Sequence, residues 1–355
     1  LKVFTVGPVA MYPHTLEVAA RPLPYFRTLE FSAMMLDSEQ MLRRLLDAPA
    51  DSYMVFLTAS GTAAMEATVL NCLTEEDRVL LIDGGTFGHR FAEICGLHGI
   101  PFDAVRLPFG TPLTEADLIP FEGRGYTALL VNIHETSTGQ LYDAGMLSAF
   151  CRRNGLYFIV DAISSFLADA YSVQQIGADA TILSTQKGLA LSPGMSFVHL
   201  SSRLYTERVA RNPRRTMYLD FQEHVENMKR GQTPFTPAVG VALELHDMLL
   251  HLKKEGLDRR LMHIRRLAED FRGRIDALGL RLPPTPLSNA ITPVVFPDGN
   301  AQMVYERLKL DYDTVVTPCG GALKDRVLRV AHIGNHSPED HRELADHIQT
   351  ILGRR

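Results

Sequence analysis

From about residue 50 to residue 200 the chain alternates short apolar runs with longer stretches of helical period. The run Met54-Val55-Phe56-Leu57-Thr58 and the runs 78–82, 103–107, 126–132, 156–160, 180–183 and 195–200 are short and rich in β-formers, and read as strands. Helical patterns start at Ala63-Ala64-Met65-Glu66 and cover 87–98 and 145–153. This alternation predicts a largely parallel sheet between helices, with ligands at the carboxyl ends of the strands.

The remainder reads differently. Residues 1–50 open with a tight turn, Val6-Gly7-Pro8-Val9, and show a helical pattern near 38–46. Arg27 and Glu30 between them read as a solvated turn. Beyond residue 237 a long helix is expected over 238–254, broken by Gly256, and another over 258–278. After the linker Pro283-Pro284-Thr285-Pro286 come strands at 291–296, 314–317 and 327–331, with helices over 301–310 and from 338. The expected division is a large domain, 1–255, including the N-terminal segment, and a smaller α+β domain, 256–355. No internal repeat or low-complexity segment appears.

Composition narrows the function class. With 46% apolar residues over 355 positions the chain is built to bury a large core. A net charge of −5 argues against an extended nucleic-acid surface, and no apolar run is long enough to span a bilayer. The four cysteines form no CxxC pair and read as reduced, mostly buried thiols; no signal-peptide pattern is visible, and a cytoplasmic location is expected. The thirteen histidines show no zinc-ligand spacing, so no metal site is expected.

Several strand ends carry candidate chemistry. Lys187 follows the apolar run 180–183 with Gly188 directly behind it. A lysine held at the tip of a buried strand is poorly solvated, and its neutral amine becomes available for a Schiff base. Asp161 ends the all-apolar run 156–160, where a carboxylate requires a cationic partner. Ser60-Gly61-Thr62 lies between a strand and a helix, the geometry of a phosphate cradle and also of an ordinary N-cap. Phe87, flanked by Thr86 and Gly88, is an aromatic able to stack on a planar ring, although most aromatics are core. Thr136-Ser137-Thr138 forms a polar loop after the strand at 126–132. Ser60, Phe87, Thr136, Asp161 and Lys187 share one placement, just past a strand.

These stretches together resemble the class V, fold-type I pyridoxal-phosphate aminotransferases. The nearest likeness is to the branch of alanine–glyoxylate, serine–pyruvate and 2-aminoethylphosphonate–pyruvate transaminases. The motifs are SGT at 60–62, TFG at 86–88, HETSTG at 134–139, VDAISSF at 160–166, STQKG at 184–188, TPFTP at 233–237 and VLRVAHIG at 327–334. The resemblance implies an α/β fold of the PLP-transferase type: a large domain with a mostly parallel sheet and a smaller α+β C-terminal domain. It implies pyridoxal 5'-phosphate carried covalently on Lys187, with Asp161 paired to the pyridine nitrogen. Phe87 would stack on the ring and Thr136 lie beside it. Ser60, Gly61, Thr62 and Gln186 would hold the phosphate, with Thr236 reaching it from the partner subunit of a homodimer. Arg329 would receive the substrate carboxylate. Thr233 departs from the alanine–glyoxylate pattern, which has Tyr there.

The reaction implied is ping-pong transfer of an amino group from a small amine, such as 2-aminoethylphosphonate, alanine or serine, to pyruvate or glyoxylate. Ser164-Ser165-Phe166 and the HETSTG loop are more similar to the phosphonate enzymes. Two rivals share the fold. A cysteine desulfurase-like lyase could use Cys319, although such relatives usually carry His where Gln186 stands; a non-enzymatic binding protein would be expected to have lost Lys187, Asp161 or Arg329.

Overall fold

The structure, a computed structural model, describes residues 1–353. Its centre is a seven-stranded sheet in the order Tyr53–Leu57, Ser196–Leu200, Ala180–Ser184, Tyr157–Asp161, Ala128–Asn132, Val79–Asp83, Phe102–Arg106. Ser196–Leu200 runs against both of its neighbours. The other neighbours pair in parallel, as expected of strands joined by crossover helices.

The apolar runs are continuous because both faces of the sheet are covered. Side chains alternate between two cores. Met54, Phe56, Leu80, Ile82, Leu129, Val131, Phe158 and Val160 face one core, where helices Leu29–Leu45, Ala144–Asn154 and Val239–Glu255 pack. Val55, Leu57, Val79, Leu81, Ala128, Leu130 and Ile159 face the other, beneath Gly61–Cys72, Thr86–Leu97 and Phe221–Met228. Each large side chain buried this way contributes roughly 1.5–3 kcal/mol.

The C-terminal part is α+β. Strands Ile291–Val295, Val327–Ala331 and Thr317–Pro318 form an antiparallel sheet with Val327–Ala331 in the middle. Phe271, Ile275, Val304, Leu308, Leu344 and Ile348, from helices Leu257–Ala277, Ala301–Tyr312 and Pro338–Ile351, close its core. The stretch expected as one strand, 314–317, is two short ones, Thr314–Val315 and Thr317–Pro318.

Within the N-terminal segment, expected as part of the large domain, helices Pro13–Ala19 and Leu29–Leu45 pack on the long helix Val239–Glu255, while the first residues join the C-terminal part. Lys2–Val3 pairs in parallel with Thr314–Val315, and Phe4 is buried in the C-terminal core. A two-residue strand carries too little pattern to announce its partner. The helix expected near 38–46 spans Leu29–Leu45, capped by the Thr28 side chain accepting from Phe31 N. The short helix Pro13–Ala19 was not legible. Among the described residues no helix is long and apolar enough to cross a membrane, and all four cysteines are unpaired.

Candidate active site

Strand Ala180–Ser184 delivers Lys187 into a turn closed by Ala190 N donating to Lys187 O at 2.8 Å and Leu191 N donating to Thr185 O at 3.0 Å. Gly188 permits this turn: a Cβ there would stand 2.1 Å from Phe166 O. The Lys187 side chain is buried, and its Nζ donates to Val6 O at 2.5 Å. Gly7, at φ +145°, lies so close that a Cβ would meet Nζ at 2.5 Å. Burial, assisted by the Arg329 charge, pulls this amine down to about 8, against the opposing pull of Asp161. A good fraction is therefore neutral near pH 8.

Asp161 ends its strand and is buried. Its Oδ1 accepts from Ile163 N at 2.8 Å, and no ion pair holds it among the described residues. Burial pushes its carboxyl up to about 7, although the Ile163 N–H and the charges of Lys187 and Arg90 oppose this.

Ser60 is the N-cap of Gly61–Cys72, its Oγ accepting from Ala63 N at 3.3 Å. The cap and the cradle readings thus coexist, since the first N–H groups of a helix have no partner within it. Thr62 Oγ1 accepts from Arg90 Nη1 at 3.2 Å, and the Arg90 guanidinium sits over the Phe87 ring, 4.8 Å from its centroid. Gln186 Oε1 accepts from Ser184 Oγ. Thr136 Oγ1 donates to Ser164 Oγ at 2.7 Å.

Glu135, which the sequence reading passed over, fixes the Phe87 turn. Its buried carboxylate accepts from Phe87 N at 3.2 Å, Gly88 N at 2.9 Å, Ser137 N at 3.0 Å and Asn132 Nδ2 at 3.0 Å. A carboxylate at the start of helix Thr86–Leu97 also meets the positive end of its dipole.

Of the expected site residues, Ser60, Gly61, Thr62, Phe87, Thr136, Asp161, Gln186 and Lys187 line one cavity of about 240 Å³. Gly7, Arg90, Asn132 and His134 also line it, with Met65, Ile163 and Ser164, and were not foreseen as site residues. Arg329 lines an adjoining cavity of about 320 Å³, with Phe87 on the border of both. Its Nη1 donates to Thr136 O at 3.1 Å and its Nη2 to Pro318 O at 3.0 Å, while Nε is buried without a partner. No carboxylate pairs with Arg329 among the described residues, so the structural ion pair that usually accompanies such an arginine is missing. Cys319 borders this second cavity, and burial lifts its thiol above the ordinary range.

Thr236 is exposed and stands apart from the cavity of its own chain. Arg27 is exposed yet engaged, correcting the solvated-turn reading. Its Nη1 donates to Gln232 Oε1 at 2.9 Å and Thr233 O at 3.0 Å, and its Nη2 to Pro234 O at 3.3 Å, bracing the 233–237 loop.

Pyridoxal phosphate fits these residues. The cavity offers a buried amine, a buried carboxylate with no cation, and three buried polar atoms without partners: both ring nitrogens of His134 and Asn132 Oδ1. Burial holds His134 neutral, its value near 3. Such groups are costly unless a ligand meets them.

Comparison with known proteins agrees. A family model described as "Aminotransferase class-V" matches residues 25–311. The chain is 30% identical to the soluble hydrogenase 42 kDa subunit of Anabaena cylindrica, over 95% of this chain and 89% of that protein. It is 28% identical to the 2-aminoethylphosphonate–pyruvate transaminase of Pseudomonas fluorescens, over 98% and 97%. The solved structure of a subgroup IV aspartate aminotransferase from Thermus thermophilus superposes with a TM-score of 0.92 at 30% identity, covering 99% of each chain. With its sheet order, its buried strand-end lysine and carboxylate, and this match over most of its length, the chain belongs to the class-V aminotransferase family.

Proposed function

We propose that this protein moves an amino group from a small donor with a single anionic group to pyruvate or glyoxylate by a ping-pong mechanism. The donors are 2-aminoethylphosphonate, alanine or serine. The observation that carries this reading is Arg329: a guanidinium at the mouth of the site, held by two carbonyls and free of any carboxylate among the described residues. A planar fork of this kind binds a carboxylate or phosphonate with parallel hydrogen bonds. Arg90 is already engaged by Thr62 and Phe87, which leaves Arg329 as the anchor for one anionic group rather than two. The likeness to the phosphonate transaminase supports the same donor class.

Pyridoxal phosphate, when bound, supplies the electron sink. Lys187 would hold it covalently, Asp161 would face its ring nitrogen, and Phe87 and Thr136 would orient the ring. Ser60, Gly61, Thr62 and Gln186 would take the phosphate. Released by an incoming substrate amine, the Lys187 amine would take the proton from the substrate's α-carbon and return it on the cofactor side; a value near 8 suits both steps. The functional unit proposed is a homodimer in which Thr236, exposed here, reaches the partner subunit's phosphate. The lyase reading is disfavoured because a thiol raised by burial, as in Cys319, is a poor nucleophile.

Absorbance titration of the holoenzyme with 2-aminoethylphosphonate, alanine, serine and aspartate tests the donor class. Conversion by one of the first three, with KM for donor and acceptor both raised at least about tenfold in Arg329→Lys, is expected. Conversion by aspartate alone, or unchanged KM in the variant, would sink it.

A further inference from the structure

Away from the active site, the short helix Pro13–Ala19 packs on the long helix Val239–Glu255. Three chemistry-bearing side chains meet there. His14 Nδ1 lies 2.7 Å from Asp247 Oδ2, and His251 Nδ1 lies 3.4 Å from the same oxygen. The two imidazoles stack with centroids 3.7 Å apart and planes 15° from parallel. One nitrogen from each ring and one carboxylate oxygen all fall within 4.8 Å of one another, the one such group among the described residues. Asp247 and His251 are four positions apart and share a helix face; His14 arrives from 233 positions away, so no linear spacing reveals the set.

We infer that His14, Asp247 and His251 form a binding site for a divalent transition-metal ion, of which zinc is the representative. Two imidazole nitrogens and one carboxylate oxygen select zinc, nickel or cobalt over magnesium or calcium, which favour all-oxygen shells. The side chains are 27%, 26% and 47% exposed, so one side opens to solvent and water can complete a tetrahedral shell. Ligands about 2.1 Å from zinc stand roughly 3.4 Å apart, a closure within reach of partly exposed rotamers. The carboxylate offsets part of the ion's charge. In binding, the metal takes the Nδ1 lone pair of each neutral ring, whose single N–H then sits on Nε2, and a ring carrying two protons gives one to water. The ion would cross-link the N-terminal helix to the long helix of the protein body.

Equilibrium dialysis of tag-free holoenzyme against zinc and, separately, magnesium tests this, using wild type, His251→Ala and His14→Gln. One zinc per chain in wild type, an affinity at least about tenfold weaker in each variant, and no magnesium uptake are expected. Both substitutions fall at the surface, and amino-transfer activity without added metal should match wild type, reporting that the variants are folded. Equal zinc affinity in all three proteins, or no uptake by wild type, overturns the assignment.

Discussion

Replacing Asp161 by Asn isolates the charge that the site is built to neutralise. Burial lifts this carboxyl from 3.8 to about 7. At about 1.4 kcal/mol per pH unit, holding it ionised in the cofactor-free protein at pH 8 costs about 4 kcal/mol relative to the unfolded chain. A carboxyl raised in the folded state contributes its full stability below 3.8 and loses it as pH rises toward 7. Cofactor-free Asp161→Asn should therefore gain on wild type as pH rises from 4 to 8, by about 4 kcal/mol over that range. Asn retains an acceptor for Ile163 N but adds an amide N–H, which shifts the difference by about 1–3 kcal/mol at every pH and leaves the slope untouched. Urea unfolding of both cofactor-free proteins at several pH values measures the slope. Saturating pyridoxal phosphate should reverse the ranking, since the bound cation rewards the carboxylate and not the amide. A pH-independent difference between the proteins would refute the reasoning.

Lys187→Ala should leave no cofactor trapped on the chain after borohydride reduction, and a labelled protein in mass spectrometry would move the covalent role elsewhere. Gly188→Ala drives a methyl to 2.1 Å from the Phe166 carbonyl and should cost about 3 kcal/mol or more in urea unfolding; an unchanged midpoint would show that the turn yields. His199 is buried with neither ring nitrogen bonded, its value lowered by burial to about 3, so its stability contribution is present above 6.5 and lost as pH falls toward 3. His199→Leu should shrink the stability loss between pH 6.5 and pH 5 by about 2 kcal/mol, and equal losses would mean that His199 stays accessible to protons.

The sheet was readable because each central strand is covered on both faces and so shows an unbroken apolar run. Most offsets were single residues, as for 156–160 against Tyr157–Asp161 and 78–82 against Val79–Asp83, and the largest was two, 126–132 against Ala128–Asn132. The strand-end clustering was readable for the same reason, since a polar residue closing such a run has few places to go but a site. Val6 was not readable, because its contact with Lys187 spans 181 positions. Glu135 was not legible because the three hydroxyls after it already account for a polar loop; a carboxylate just past an all-apolar strand, with no Lys or Arg beside it, is the signal that points to it. Arg90 sits three positions beyond Phe87 on one helix, the spacing that brings two side chains to the same face.

The bond between Lys187 Nζ and Val6 O sets covalent loading of the lysine against its hold on residue 6. An amine that goes into a C=N bond gives up at least two of its three ammonium protons, so a loaded Lys187 has at most one left to donate to that carbonyl. Val6 N donates to Thr317 Oγ1 and Tyr12 Oη to Gly334 O, so this stretch is fastened at both ends to the C-terminal unit. Val9 N also donates to Gln186 O at 3.3 Å, so the first dozen residues join the lysine turn to the C-terminal unit, and a change in their hydrogen-exchange protection on loading Lys187 is the expected consequence.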